Sequence, residues 1–156
     1  CAWQAASRST RFTPIAWALG RGVALAGPMT NAPGHQPKQQ VARSLPGYRV
    51  SDEPAALADV ARRLAAKHRN QFVEMRVNGF CMAAKTATWW ANAHDAASVF
   101  NPKFKMTKNE DELQGRWKKR GLVSALVPAS FVFHFRGVTR KGATKGQEGK
   151  GWFRKG

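Results

Sequence analysis

The longest apolar stretch of the chain covers residues 121–135 and lies between two clusters of cations. Its only titratable side chain is His134. As a helix it would rise about 22 Å, which is shorter than a hydrocarbon core of about 30 Å. Flanking Lys and Arg side chains can bridge such a shortfall, because their alkyl stems lie in the apolar layer and their charges reach the head groups. We therefore expect residues 121–135 to form a short helix that dips into a membrane.

Two alternatives stay open for the same stretch. Within residues 130–136, Phe131, Phe133 and Phe135 alternate with mostly polar residues, and this period of two is typical of a β-strand. The stretch would also suit a buried helix in a soluble complex. The pattern alone does not choose between these structures.

Two further segments carry helical patterns. Pro54 suits a first helical turn, and the apolar residues after it recur at helical spacing, so the pattern predicts a helix over residues 53–77. Residues 79–100 are rich in alanine, which favours a second helix. Pro102 would end that helix.

One acidic cluster follows these two segments. Glu110, Asp111 and Glu112 are adjacent, so on a helix they point in different directions and do not form a metal or catalytic site. Carboxylates are favourable in a first helical turn. We expect a short helix that begins near Glu110 and leads to Trp117.

Both ends of the chain are basic and lack a pattern for a core. Residues 1–50 contain no acid, and residues 31–50 form a linker in which three prolines interrupt regular structure. Residues 136–156 alternate glycine with cations and cannot bury a core. The predicted fold is therefore mostly α and not a compact autonomous globule. It comprises extended basic arms, a helical region over residues 51–120 and the apolar segment 121–135.

Net charge restricts the class of partner. Lys and Arg number 26 against 9 Asp and Glu, so the formal charge is +17. Such an excess requires a polyanionic neighbour, which is RNA, an anionic phospholipid such as cardiolipin, or an acidic protein surface. The cations around the apolar stretch are the predicted polyanion or lipid contacts: Lys118, Lys119, Arg120, Arg136, Arg140 and Lys141.

Aromatic composition indicates an interface. Trp accounts for 6 residues and Tyr for 1, and Trp favours places with one wet end and one apolar end. Trp89 and Trp90 are adjacent, so they cannot share one helix face, and one of them is expected to meet a neighbour. The predicted membrane or partner contacts are Trp117, Leu122, Leu126, Phe131, Phe133, Phe135, Trp89 and Trp90.

No motif in the sequence specifies an enzyme. There is no dinucleotide fingerprint, P-loop or zinc-ligand spacing, and the four histidines are isolated. Cys1 and Cys81 leave a disulfide open without favouring one, and Cys81 suits a small buried apolar residue. We therefore predict no catalytic residue, no cofactor and no metal.

Residues 48–76 resemble the segment ahead of the membrane span in a small single-span accessory subunit of mitochondrial NADH dehydrogenase (complex I). An aromatic-basic start, a proline, an amphipathic helix and an Arg-Asn pair carry the resemblance. The Asp-Pro-Trp that precedes the Arg-Asn pair in that family is absent. The resemblance implies no catalytic or cofactor residue. The matching residues are Tyr48, Arg49, Pro54, Leu57, Val60, Leu64, Ala65, Lys67, Arg69 and Asn70.

These observations together favour a structural protein of mitochondria. Residues 1–25 are rich in Ala, Ser and Arg without acid, which is typical of an organellar transit sequence or its remainder. The leading hypothesis is a non-catalytic accessory subunit of an inner-membrane respiratory complex, packed on neighbouring subunits and lipid. The alternative is a mitochondrial ribosomal protein whose basic arms bind rRNA. A free nucleic-acid-binding protein is a third hypothesis.

Overall fold

The structure, a computed structural model, describes residues 8–104 and 108–135. In these residues five helices and a three-stranded mixed sheet form an α/β fold. The prediction of a mostly α chain without a compact core is therefore wrong. In chain order the elements are α1 (Arg8–Gly20), β1 (Val23–Met29), a 3-10 turn (Pro37–Gln39), α2 (Val41–Ser44), α3 (Pro54–Lys67), β2 (Val73–Glu74), α4 (Thr86–Ala91), α5 (Asn109–Lys119) and β3 (Val123–Phe131).

The central strand of the sheet is β3, which runs parallel to β1 and antiparallel to β2. Val23 pairs with Val123, and Gly27 pairs with Leu126, while Val73 of β2 pairs with Leu126 from the other side. Every residue of β1 is buried, and so are the last seven residues of β3. Parallel strands that are covered on both faces read as continuous apolar runs, which explains the composition of residues 121–135.

Each of the two parallel strands contains a proline where their pairing becomes irregular. Pro28 lies opposite Val127, but the next residue, Met29, lies opposite Phe131. Proline cannot donate a ladder hydrogen bond and is tolerated at sheet edges and irregularities. Pro28 lies in an edge strand, and Pro128 falls inside the register shift, so neither residue breaks a regular ladder.

Two apolar clusters hold the helices to the sheet. The smaller cluster places the buried side of α1 on both parallel strands, and its buried members are Ile15, Ala18, Val23, Ala26, Ala125 and Val127. The larger cluster joins α3 and α5 to the same sheet through Leu25, Met29, Val60, Leu64, Val77, Leu113, Trp117, Leu126 and Phe131, among others. The core thus extends from the first described helix to the last strand.

The prediction of a membrane-dipping helix over residues 121–135 is wrong. The backbone of this segment pairs with two strands, and Leu126 and Phe131 are only 4% and 3% exposed. Among the described residues, no helix is both long enough and apolar enough to cross a bilayer. The strand alternative had the correct type of structure, but it was centred on residues 130–136, whereas β3 ends at Phe131.

The predicted helix over residues 53–77 is correct only in its first part, because α3 ends at Lys67. Asn70 then adopts a left-handed backbone with φ of 55°, which a helix cannot continue through. Beyond it the chain joins the sheet, where the amide of Met75 donates to the carbonyl oxygen of Ser124 at 3.0 Å.

The predicted helix over residues 79–100 is mostly wrong, because only α4 is helical there. Ala83 instead exchanges two backbone hydrogen bonds with Ala26, both of 2.8 Å. After α4, the Asp95 carboxylate accepts a hydrogen bond of 2.8 Å from the amide of Ser98 and closes a turn. Extended pairing at one end and a turn at the other shorten the helix to six residues.

The predicted arms have mixed outcomes. The expectation of an extended arm is wrong for the described residues before Thr30, since α1 and β1 lie there and contribute to the core. The linker 31–50 is largely irregular, but it contributes Val41 and Leu45 to the larger cluster. Residues 136–156, the predicted basic tail, lie outside the described residues. The short helix from about Glu110 is confirmed as α5.

Candidate nucleic-acid interface

The charges of α5 are arranged along its axis. Its first turn contains three carboxylates, and its last turn contains Arg116, Lys118 and Lys119. Carboxylates are favourable near the positive end of the helix dipole, and cations near the negative end. One end of α5 is therefore acidic and the other, continued by Arg120, is basic.

The buried side of α5 fixes this helix to the body of the protein. Leu113 and Trp117 are fully buried. Gln114 is also buried, and its amide group makes two hydrogen bonds of 2.8 Å with the backbone N–H and C=O of Val77. A side-chain amide that replaces a backbone partner in this way satisfies both polar groups of a buried residue. The basic end of α5 is thus carried on a fixed element.

Lys118, Lys119 and Arg120, which we call the basic end of α5, are exposed. Among the described residues, no carboxylate lies within 4.0 Å of their charged groups. Cations elsewhere are partly compensated: Arg62 and Arg63 both pair with Asp59. The basic end of α5 therefore presents three positive charges that the described part of the protein does not neutralise.

Asn92 connects the basic end of α5 to the loop that follows α4. The backbone oxygen of Asn92 accepts hydrogen bonds from Arg116 and, at 3.0 Å, from the indole N–H of Trp117. Its side-chain oxygen accepts a hydrogen bond of 3.2 Å from Arg120. Arg116 also donates to the carbonyl oxygen of Val99 at 2.9 Å. These bonds hold the loop over residues 92–99 against the end of α5.

The two adjacent tryptophans of α4 have different environments. Trp89 is partly buried, and its ring lies 5.2 Å from that of Trp117 and 6.0 Å from that of Phe100. Trp90 is 56% exposed. Because Trp90 precedes Asn92 by only two residues, its Cα lies within about 8 Å of that of Asn92. An exposed indole thus accompanies the three uncompensated cations.

The residues predicted as membrane or partner contacts are divided by the fold. Trp117, Leu126 and Phe131 are at most 4% exposed and belong to the core. Leu122, Phe133 and Trp89 are partly buried against that core. Only Phe135, at 54% exposure, and Trp90 are largely exposed among them.

The residues predicted as polyanion contacts are described only in part. Lys118, Lys119 and Arg120 come together at the end of α5. Arg136, Arg140 and Lys141 lie outside the described residues.

Sequence reasoning missed Asn92, which joins the cations to α4. An isolated asparagine carries no local signal for this role, because its partners are 24 to 28 residues further along the chain. It also left open which of the two tryptophans is exposed. In the structure, Trp89 packs against Trp117, and Trp90 is the exposed tryptophan.

The described residues hold few groups with reactive chemistry. No three His, Cys, Asp or Glu side chains among them are close enough to bind a metal ion. Cys81 is a free thiol, and burial raises its pKa, which is opposite to the shift of an activated cysteine. His94 and Asp95 approach to 4.0 Å as sequence neighbours.

Comparison with known proteins gives no match to a family model, a curated protein or a solved structure.

Proposed function

We propose that the protein binds single-stranded nucleic acid without catalysis, and that the basic end of α5 contacts the phosphates. In the ribosomal hypothesis the ligand is rRNA. The observation that supports this proposal is the hydrogen bond of 3.2 Å that joins Arg120, beside Lys118 and Lys119, to Asn92, two residues after the exposed Trp90. Proteins that bind single strands combine a basic surface with aromatic rings on which bases stack.

Electrostatics favours this surface over the cations of α3. On α3, Arg62 and Arg63 share one carboxylate, and Lys67 donates to the carbonyl oxygen of Ser44 at 2.6 Å. The basic end of α5 has no such carboxylate among the described residues. Phosphates would therefore gain more at the end of α5 than on α3, because no ion pair has to be broken there.

The respiratory-subunit hypothesis required residues 121–135 to enter the membrane. These residues instead contribute a core strand, so that support for the hypothesis is removed. A role of that kind would now rest on the basic surface and on the resemblance within residues 48–76. Mitochondrial localisation stays a prediction. Import of a tagged precursor into isolated mitochondria would check it.

Salt dependence of binding tests the proposal. Log affinity for a single strand falls with log salt concentration by about 0.7 per neutralised phosphate. Simultaneous replacement of Lys118, Lys119 and Arg120 by alanine should therefore reduce the slope by about 2 if each cation contacts one phosphate. Fluorescence anisotropy with a labelled oligouridylate, measured from low to physiological salt, gives the slope.

A control variant removes the same charge from another helix. The replacement of Arg62, Arg63 and Lys67 by alanine also lowers the net charge by three, but it alters only the α3 surface. We expect its slope to change by less than one phosphate contact, about 0.7. Equal slopes for the two triple variants would contradict the assignment to α5, and absence of binding at low salt would contradict the function itself.

A further inference from the structure

An apolar pocket of about 400 Å³ lies beside Trp89. Its lining includes Ile15, Cys81, Met82, Trp89 and Phe100. The volume is toward the lower end of the range of roughly 300–1,000 Å³ that is usual for small-molecule sites. The pocket is thus of the right size for a compact ligand with an apolar or aromatic body.

The walls of the pocket are held by backbone pairing and by α5. Ala83, which also lines the pocket, is fixed by its two hydrogen bonds to Ala26 in β1. Phe100, another lining residue, follows Val99, whose carbonyl oxygen accepts from Arg116. Because both walls are tied to the core, the pocket is formed before any ligand arrives.

Charges around the pocket favour an anionic ligand on one side. Lys85 and Lys103 are exposed and follow the lining residues Ala83 and Phe100 by two and three residues, so their Cα atoms lie within about 8 Å and about 11 Å of the Cα atoms of those residues. At Gly79, which also lines the pocket, a side chain would meet the carboxyl group of Glu110 at 2.9 Å, so this acid lies at the pocket border. An anionic group is therefore favoured toward the lysines and disfavoured toward Glu110.

From this combination we infer that the pocket receives one unstacked base of the strand whose phosphates lie on the basic end of α5. The inference rests on the proposed function. The loop over residues 92–99 links the two sites, because Arg120 of the basic end donates to the side-chain oxygen of Asn92 at 3.2 Å, and Phe100, which directly follows Val99, lines the pocket. A nucleotide is the ligand class that unites a flat aromatic body with an adjacent anion.

The geometry of the rings restricts how the base lies. The centroids of Trp89 and Phe100 are 6.0 Å apart, within the distance range of aromatic rings in direct contact. A base therefore cannot enter between them and lies on the pocket side of one ring. Stacking on one face tolerates every base, so the pocket contributes affinity with little sequence preference.

Comparison of an oligothymidylate with an abasic oligonucleotide of equal length tests the inference. The comparison is made in a Trp90→Ala background, because the exposed Trp90 can itself stack a base. Both strands carry the same phosphates, so binding by the basic end alone then gives the same affinity and the same salt slope for both. A stacked base should make the oligothymidylate bind about 5- to 150-fold more tightly. The variant Phe100→Leu should lower this ratio, while Phe72→Leu, whose ring packs against Trp17 at 6.0 Å, should leave it unchanged.

Protection of Cys81 provides a measurement that needs no change in the pocket. In a Cys1→Ser background, iodoacetamide reports on Cys81 alone, since the sequence has 2 cysteines. A bound base should slow alkylation in the oligothymidylate complex at least fivefold relative to the abasic complex, as expected for the stacking contribution.

The outcomes separate the inference from the function on which it rests. Tighter binding of the oligothymidylate together with protection of Cys81 supports the base pocket. Equal affinity for both strands, or equal alkylation of Cys81 in both complexes, overturns the pocket and leaves phosphate binding by α5 intact. Failure of both strands to bind at low salt overturns the pocket and the proposed function together.

Discussion

Gln114→Met is expected to destabilise the protein strongly, although it preserves the length of the side chain. Gln114 is only 2% exposed, and its amide satisfies the N–H and the C=O of Val77. Val77 is itself fully buried, so water cannot replace the lost amide. The substitution therefore leaves two buried backbone groups without their partner.

The expected loss in the free energy of unfolding can be estimated from these two backbone groups of Val77. Each buried donor or acceptor without a partner costs about 1–3 kcal/mol, which gives roughly 2–6 kcal/mol for the pair. Helix propensity contributes little, because Gln and Met are nearly equal. A cavity term is also small, because the volume is conserved. The loss is a large part of the roughly 5–15 kcal/mol that stabilises an ordinary domain.

Urea denaturation followed by tryptophan fluorescence measures the free energy of unfolding, because Trp117 is fully buried. Gln71→Met is the control, since Gln71 is exposed and its amide oxygen lies 3.2 Å from a ring nitrogen of His68, its one hydrogen-bond partner within residues 8–104 and 108–135. We expect this control to change stability by less than about 0.5 kcal/mol. If Gln114→Met were as stable as the control, the reasoning that α5 is fixed through Val77 would be refuted.

Two further changes test the packing and the buried polar groups. Gly27→Ala should cost about 1–3 kcal/mol, because a Cβ there would lie 2.8 Å from Cβ of Val77 and 3.0 and 3.1 Å from its two Cγ atoms. Val77→Ala removes both Cγ atoms, so the cost of Gly27→Ala should be smaller in that background. Gly20→Ala, with open space around it, should not show the loss in the same urea titration. Tyr48→Phe should stabilise the protein by up to about 1 kcal/mol, because the buried hydroxyl has no hydrogen-bond partner within the described residues. Burial raises the pKa of Tyr48 above 10.0. As pH rises from 10 through the folded pKa, the unfolded chain therefore loses the phenolic proton before the folded protein does, and the protein with Tyr48 loses stability. The advantage of the Phe variant should widen in alkaline buffer, and a constant difference would contradict this expectation.

The start of α3 could be predicted from the sequence, whereas its end could not. Pro54 and the spacing of Leu57 and Leu64 are local signals, and they gave the correct beginning. The same spacing continued to Met75, which hydrogen-bonds to β3 instead. Short apolar runs suit helix and strand alike, so the choice depended on a partner strand that lies distant in the chain.

The same limitation explains the error over residues 121–135. Val123 pairs with Val23, one hundred residues earlier in the chain. A local pattern of apolar and polar residues cannot predict pairing between strands so far apart. The apolar length of the stretch was compatible with a helix, and only the sheet decides otherwise. By contrast, Lys118, Lys119 and Arg120 could be recognised from the sequence as a cationic group, because adjacent charges remain solvated in nearly any fold. Their contact with a polyanion or lipid stays a prediction.

Those cations have two separable effects. Lys118 and Lys119 lie in the last turn of α5, where each cation stabilises the helix by about 0.3–1 kcal/mol at low salt without any ligand. Loss of stability in the triple alanine variant is therefore expected whether or not nucleic acid binds. A bound strand adds a different contribution, which grows with ligand concentration and reaches about 2.7 kcal/mol at one hundred times the dissociation constant. The helical contribution is present without oligonucleotide, whereas the binding contribution appears only when oligonucleotide is added. The increase in the free energy of unfolding that oligonucleotide causes therefore measures the role of the basic end in binding.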